Sequence, residues 1–94
     1  MKALLNTSSE LAIKYLDALG NRRVAPSQEA IDRIEYFREP LPTLPTSPED
    51  VIRMLDDIGS LATMAMAGPR FFGFVIGGSL PAFLAVNWLA AAWG

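Results

Sequence analysis

Gly68-Pro69-Arg70-Phe71-Phe72-Gly73-Phe74-Val75-Ile76-Gly77-Gly78-Ser79-Leu80-Pro81-Ala82 runs on through Trp88-Leu89 to Gly94, and from Phe71 onward it carries no formal charge. Two incompatible readings compete for it. By composition it is a candidate membrane span, since about 20 mainly apolar residues suffice to cross a bilayer. By the order of its residues it is the inner surface of a larger fold. Gly73, Gly77, Gly78 and Pro81 would break the first half of a span, where lipid leaves freed backbone groups without partners. The helix proper, Leu80 to Gly94, is closer to the length of a buried core helix. It is apolar on every side apart from Asn87, which places it deep in a large protein or in a bilayer. The glycines and the proline favour protein. Phe71 to Ile76, aromatic and β-branched between glycines, is expected to be a short extended segment. Gly77-Gly78 offers permissive backbone, and Ser79 can cap the last helix with Pro81 in its first turn.

Upstream of this stretch, Ser47-Pro48-Glu49-Asp50 is a strong helix start: Ser at the N-cap, Pro where its missing donor costs nothing, and two acids in the first turn. Val51, Leu55, Ile58, Ala62 and Ala65 then recur at helical spacing. They predict one amphipathic helix with a single buried stripe, ending at Gly68-Pro69. Ser60 to Ala67 holds no charge, so the end of this helix is expected to enter a dry environment. Thr7-Ser8-Ser9-Glu10 has capping-box spacing and opens a helix predicted over Ser8 to Leu19, with Leu11, Tyr15 and Leu19 on one face and Gly20 as a left-handed stop. Its stripe is narrow, so it should lie on a neighbour. Ser27 caps a second, shorter helix in which Ile31, Ile34 and Phe37 or Tyr36 share a face. Pro40 ends it by disfavouring helical geometry in the residue before it. Leu41 to Thr46, rich in proline, reads as an extended link. The organisation is thus 1–39, N-terminal helices; 40–46, the link; 47–94, a helix, a short extended loop and an apolar helix. The expected fold class is mainly α.

Composition narrows the functions. Ninety-four residues suffice for one small domain, near the low end for an independent core, while 51% are hydrophobic and mean hydropathy is +0.26. Such a chain is expected to present surface for something else to cover. A net charge of −2 argues against an electrostatic nucleic-acid binder. Arg22-Arg23, the only paired basic site, follows a predicted helix end, where cations suit the helix dipole. Neither cysteine nor histidine is present, which removes disulfides, thiolate chemistry and the commonest acid–base group and metal ligand. Asp56-Asp57 and Glu49-Asp50 are the adjacent carboxylate pairs. Neighbours on a helix point about 100° apart, so neither makes a ready metal clamp. Met1 to Leu5 starts like a signal peptide, but Asn6 to Glu10 cuts the apolar run early. A cytoplasmic address is the default expectation, with no membrane and no nucleic acid as partner.

From about Pro40 onward the chain resembles the N-terminal segment of the pyridoxal-phosphate-dependent decarboxylases of the aromatic-amino-acid and glutamate decarboxylase group. Gly68 to Ala82 carries the likeness, with Leu84-Ala85 and Trp88-Leu89 after it. Members show His-Pro-x-Phe-Phe, a short variable run, a Pro-Ala pair and a Leu-Ala-x-x-Leu helix. Glu39-Pro40-Leu41-Pro42 and the helix opened by Ser47-Pro48-Glu49 fit the same plan. Gly68 stands where many members have histidine, and Asn87 where an acid is frequent. The likeness is weak before Val24.

That resemblance implies a parent α/β enzyme of fold type I, acting as a homodimer on an amino acid, with its active sites at the subunit interface. The N-terminal helices would clasp the second subunit. Phe74, Val75, Ile76 and Gly77 would line the substrate side of the pocket, or serve, like Phe71 and Phe72, as interface core. Pyridoxal 5'-phosphate would be held by residues downstream of this chain. A Schiff-base lysine needs a shielded pocket, whereas Lys2 is terminal and Lys14 lies on a polar helix face. The chain alone is therefore expected to be inactive, as a truncation or fragment. Gly77-Gly78-Ser79 is not assigned to phosphate, because the family's phosphate site lies elsewhere. A non-enzymatic helical interaction module and a small membrane protein remain the alternatives.

Overall fold

The computed structural model describes residues 1–66 and 81–94, and among these the chain is mainly helical with no strand. The expected extended stretch at Phe71–Ile76 lies outside the described residues. Four α-helices, α1 (Lys2–Ala18), α2 (Gln28–Asp32), α3 (Pro48–Met54) and α4 (Pro81–Trp93), are interleaved with tighter or wider turns of helix. α1 lies along α3, and α2 sits against the turn Ser60–Ala62.

α1 begins six residues earlier than its sequence signal suggests. Lys2-Ala3-Leu4-Leu5 are good helix formers, and Leu5 N–H already donates to Met1 C=O at 3.0 Å. Thr7 is therefore inside the helix rather than capping it, and its hydroxyl donates across to Glu49 Oε1 at 3.4 Å. The capping box does not form. Gly20 does not supply a left-handed stop either: the chain tightens into a 3₁₀ turn over Leu19–Asn21, which keeps right-handed geometry until Arg22 extends. The narrow stripe behaves as expected. Leu11, Ala12, Tyr15 and Leu16 are half-buried towards α3 and Leu19 is buried.

Ser27 does cap α2, its Oγ accepting from Ala30 N–H at 3.1 Å. The α-helix is short, however, and gives way to a 3₁₀ segment over Arg33–Arg38 before Glu39 turns extended ahead of Pro40. Because the periodicity changes at Arg33, the expected apolar face is only partly covered. Ala30 is the buried residue, while Ile31, Ile34 and Phe37 remain 36–43% exposed. Leu41 and Leu44 in the proline-rich link stand in solvent.

The largest departure is in the helix opened by Ser47. Pro48, Glu49 and Asp50 fill the first turn as read, but the Ser47 hydroxyl makes no capping bond. After Met54 the backbone widens into a π-helix over Leu55–Gly59 and then narrows to a 3₁₀ turn over Ser60–Ala62. A π turn adds a residue per turn and rotates every later side chain. The stripe predicted from 3.6-residue spacing is split accordingly: Val51 and Leu55 are exposed, and Ile58 and Ala65 are buried. The helical run also stops at Ala62, short of Gly68-Pro69.

Leu19, Ala30, Ile58 and Ala65 make up the buried apolar core of the described residues. Two of the four are alanine, so little apolar area leaves water. The Cα radius of gyration is 15.1 Å, against about 12 Å for a compact domain of this length. α4 contributes nothing to that core. Phe83, Trp88 and Trp93 are 67%, 45% and 78% exposed, and Val86 and Leu89 are exposed with them.

Candidate functional site

Phe74, Val75, Ile76 and Gly77 lie outside the described residues, as do Phe71 and Phe72. Two features are found among the described residues.

The first is an open apolar groove of about 710 Å³ between α1 and α3. Leu11, Tyr15 and Leu16 form one wall, Ile52 and Leu55 the other, with Met64, Met66 and Leu84 at one end. Helical spacing puts the α1 residues on one face, and Leu55 on the rim is the first residue of the π turn. Polar groups at the edge already have partners. Lys14 Nζ lies 2.7 Å from Asp56 Oδ2, and the same carboxylate accepts from Ser60 Oγ at 3.0 Å. The adjacent Asp57 turns the other way and meets Arg33 Nη2 at 2.9 Å. Asp56-Asp57 thus diverges as helix geometry requires. Asp56 is nonetheless largely enclosed, with its side chain 15% exposed. Among the described residues no cluster of acids forms a metal site.

The second feature is a clamp on the end of the third helical run. Arg22 does not sit on the end of α1, as its position in sequence suggests. Its guanidinium reaches Ser60 C=O through Nη1 at 3.0 Å and Thr63 C=O through Nη2. Ser60 C=O also accepts from Thr63 N–H at 3.4 Å and from Thr63 Oγ1 at 2.8 Å, and a guanidinium fork suits two carbonyls at once. The same group lies over the Tyr15 ring, 5.6 Å from its centroid, within reach of a cation–π contact. The Tyr15 hydroxyl in turn bonds to Thr63 Oγ1 at 2.8 Å and donates to Met64 C=O at 3.4 Å. Ala65 N–H closes the set by donating to Val24 C=O at 2.9 Å, and Ala65 itself is 1% exposed. Arg22 is the residue that sequence reasoning missed. Its partners are 38 and 41 positions away, and no local pattern encodes a contact of that span.

The lysines do not fit a covalent cofactor site. The Lys14 side chain is 65% exposed and paired with Asp56, and Lys2 is exposed in the first turn of α1. Neither stands in the shielded pocket that a Schiff-base amine requires. No described helix is long and apolar enough to cross a membrane. No family model matches the chain, and no curated protein or solved structure matches it either.

Proposed function

We propose that this chain is the N-terminal portion of a pyridoxal-phosphate-dependent amino-acid decarboxylase, a cytoplasmic homodimer in its complete form. The observation that carries the reading is the Pro69-Arg70-Phe71-Phe72 string with its flanks, running directly into a helix with no charged side chain. The uncovered state of α4 supports it. Phe83, Trp88 and Trp93, at the stated exposures, leave roughly 300–450 Å² of aromatic side chain in water. At about 25 cal/mol per Å² that is on the order of 10 kcal/mol of unrealised burial, comparable with the whole stability of a small domain. A helix of this kind suits polypeptide packed around it. In the decarboxylase reading that polypeptide is the large domain, with the second subunit beyond it.

Pyridoxal phosphate would supply the electron sink for loss of carbon dioxide. The described residues do not fit it, for the reasons given for Lys2 and Lys14, and the chain has no histidine. This segment's contribution is therefore to enclose and position. Phe74, Val75, Ile76 and Gly77 would face the substrate side chain, and the helices before them would hold that segment against the partner subunit.

Reading the gene past Gly94 tests the proposal. A continuing frame that encodes a lysine in a Ser/Asp-x-His-Lys context, and whose product releases carbon dioxide from an amino acid when given the cofactor, is the expected result. A stop codon with no downstream frame of this type would refute it. The α1–α3 groove, formed almost wholly within residues 1–66, favours a second reading as a helical interaction module. A monodisperse, cooperatively melting oligomer of the 94-residue chain on size exclusion would support the module, because a severed inner surface should aggregate or stay molten.

A further inference from the structure

Arg23 is the member of the Arg22-Arg23 pair that the fold leaves unused. It lines a pocket of about 300 Å³ formed by the connector after α1, α2 and the turn Ser60–Ala62. Arg22 and Arg33 stand in the same wall, but both are engaged, Arg22 by the Ser60 and Thr63 carbonyls and Arg33 by Asp57. Glu29 is the carboxylate of the lining. Among the described residues neither the Arg23 nor the Glu29 side chain has an ion pair or hydrogen bond, and the two do not pair with each other. We infer that this pocket binds a small zwitterion of the α-amino-acid type with an apolar side chain, Arg23 taking its carboxylate and Glu29 its ammonium group. The inference goes beyond the decarboxylase reading and does not rest on it.

Charge sets aside the simpler ligands. Arg22, Arg23 and Arg33 around the pocket disfavour a plain amine. Glu29, with Asp57 beside Arg33, disfavours an inorganic dianion. A molecule with one charge of each sign satisfies Arg23 and Glu29 together and leaves neither facing a like charge. The guanidinium fork of Arg23 matches the two oxygens of a carboxylate. Ser27 Oγ accepts from Ala30 N–H and keeps its own proton to donate to the same group. Pro26, Ala30 and Leu61 supply the apolar part of the lining, and Leu61 is 52% exposed, so a ligand side chain laid over it removes apolar surface from water. The wall is already fixed. Arg22 Nε donates to Arg23 C=O at 3.4 Å, so the backbone that carries Arg23 is tied to the guanidinium that holds the Ser60 and Thr63 carbonyls. Such preorganisation lowers the cost of binding, and the volume lies at the small end of the range for ligand pockets.

L-leucine titrated into the protein as its gene encodes it tests the site, read by NMR at the Ala25, Ala30 and Leu61 methyl groups that line the pocket. Saturable shifts with a Kd on the order of 1 mM are expected. Isocaproate, which lacks the ammonium group, and isoamylamine, which lacks the carboxylate, should each bind about tenfold more weakly through loss of one charge-assisted contact. Arg23→Gln should weaken leucine to the level of isoamylamine and leave isoamylamine itself unchanged. Glu29→Gln should weaken leucine to the level of isocaproate and leave isocaproate unchanged. Both side chains are exposed, so the melting temperature should stay at the wild-type value. Absence of a saturable shift at these methyls with leucine up to about ten times that Kd would overturn the inference. Isocaproate or inorganic phosphate binding as tightly as leucine would overturn it too, by marking a plain anion site. Carbon dioxide release tests the decarboxylase reading separately, so failure of either result leaves the other standing.

Discussion

Gly59 offers a direct test of the backbone path through the π turn. The sequence places it inside a helix, where glycine costs up to about 1 kcal/mol relative to alanine. A packing or conformational demand is the usual reason to keep it. Neither is present here. Its dihedrals are φ −72° and ψ −42°, ordinary right-handed geometry open to any residue. Among the described residues, a Cβ built at this position meets nothing closer than Phe37 Cζ at 4.0 Å, a normal van der Waals contact. Gly59→Ala should therefore stabilise the fold by about 0.4–1 kcal/mol, chiefly by restricting the unfolded chain, with a small gain from the methyl against Phe37. For a domain of this length that is a rise of roughly 2–8 °C in Tm. Circular dichroism at 222 nm during thermal and urea unfolding measures it, with the urea midpoint raised and the slope unchanged. A fall in Tm of similar size would refute the path described for residues 55–59. It would mean that position 59 needs either a left-handed backbone or a closer neighbour.

Other substitutions separate contacts that look alike in sequence. Ser27→Ala should cost about 1 kcal/mol, because its hydroxyl caps α2. Ser47→Ala should change stability by only a few tenths of that, its hydroxyl making no capping bond; equal losses in urea titrations would contradict the assignment. Lys14→Met removes an ion pair whose lysine is 65% exposed, worth about 1 kcal/mol. Wild type and Lys14→Met mixed with pyridoxal phosphate should both show only the spectrum of the free cofactor, and a new absorbance band lost in the variant would place a covalent site where none is assigned. Phe83→Asp combined with Leu89→Asp should abolish self-association on size exclusion without lowering the unfolding midpoint of the helices before residue 66. A lowered midpoint would show that α4 is already part of their core.

The exposures around α4 define what this chain lacks. Four apolar residues are buried among the described residues, two of them alanine, which is little core for a sequence so rich in apolar side chains. In the proposed enzyme the deficit is met by the large domain and the second subunit. The groove between α1 and α3 is apolar, and the Lys14 and Asp56 charges at its rim are already paired.

Local chemistry made several features legible in advance: the cap at Ser27, the stop at Pro40, the proline and acids that open α3, and the uniformly apolar α4. Each depends on residues within a few positions of one another, where backbone sterics, missing donors and helix dipoles act without help from the rest of the fold. Where the chain was misread, the cause was distant. Thr7 abandons its capping role because helix formers ahead of it extend α1 and Glu49 offers another partner. The Val51–Ala65 stripe is broken at a π turn, beyond which Ile58 and Ala65 are buried and Ala65 N–H reaches Val24 C=O. Arg22 leaves the end of its own helix for the Ser60 and Thr63 carbonyls, 38 and 41 positions further on, where another helical run stops. A sequence states which bonds a residue can make, but competition among partners far along the chain is resolved only when those partners are brought together in space.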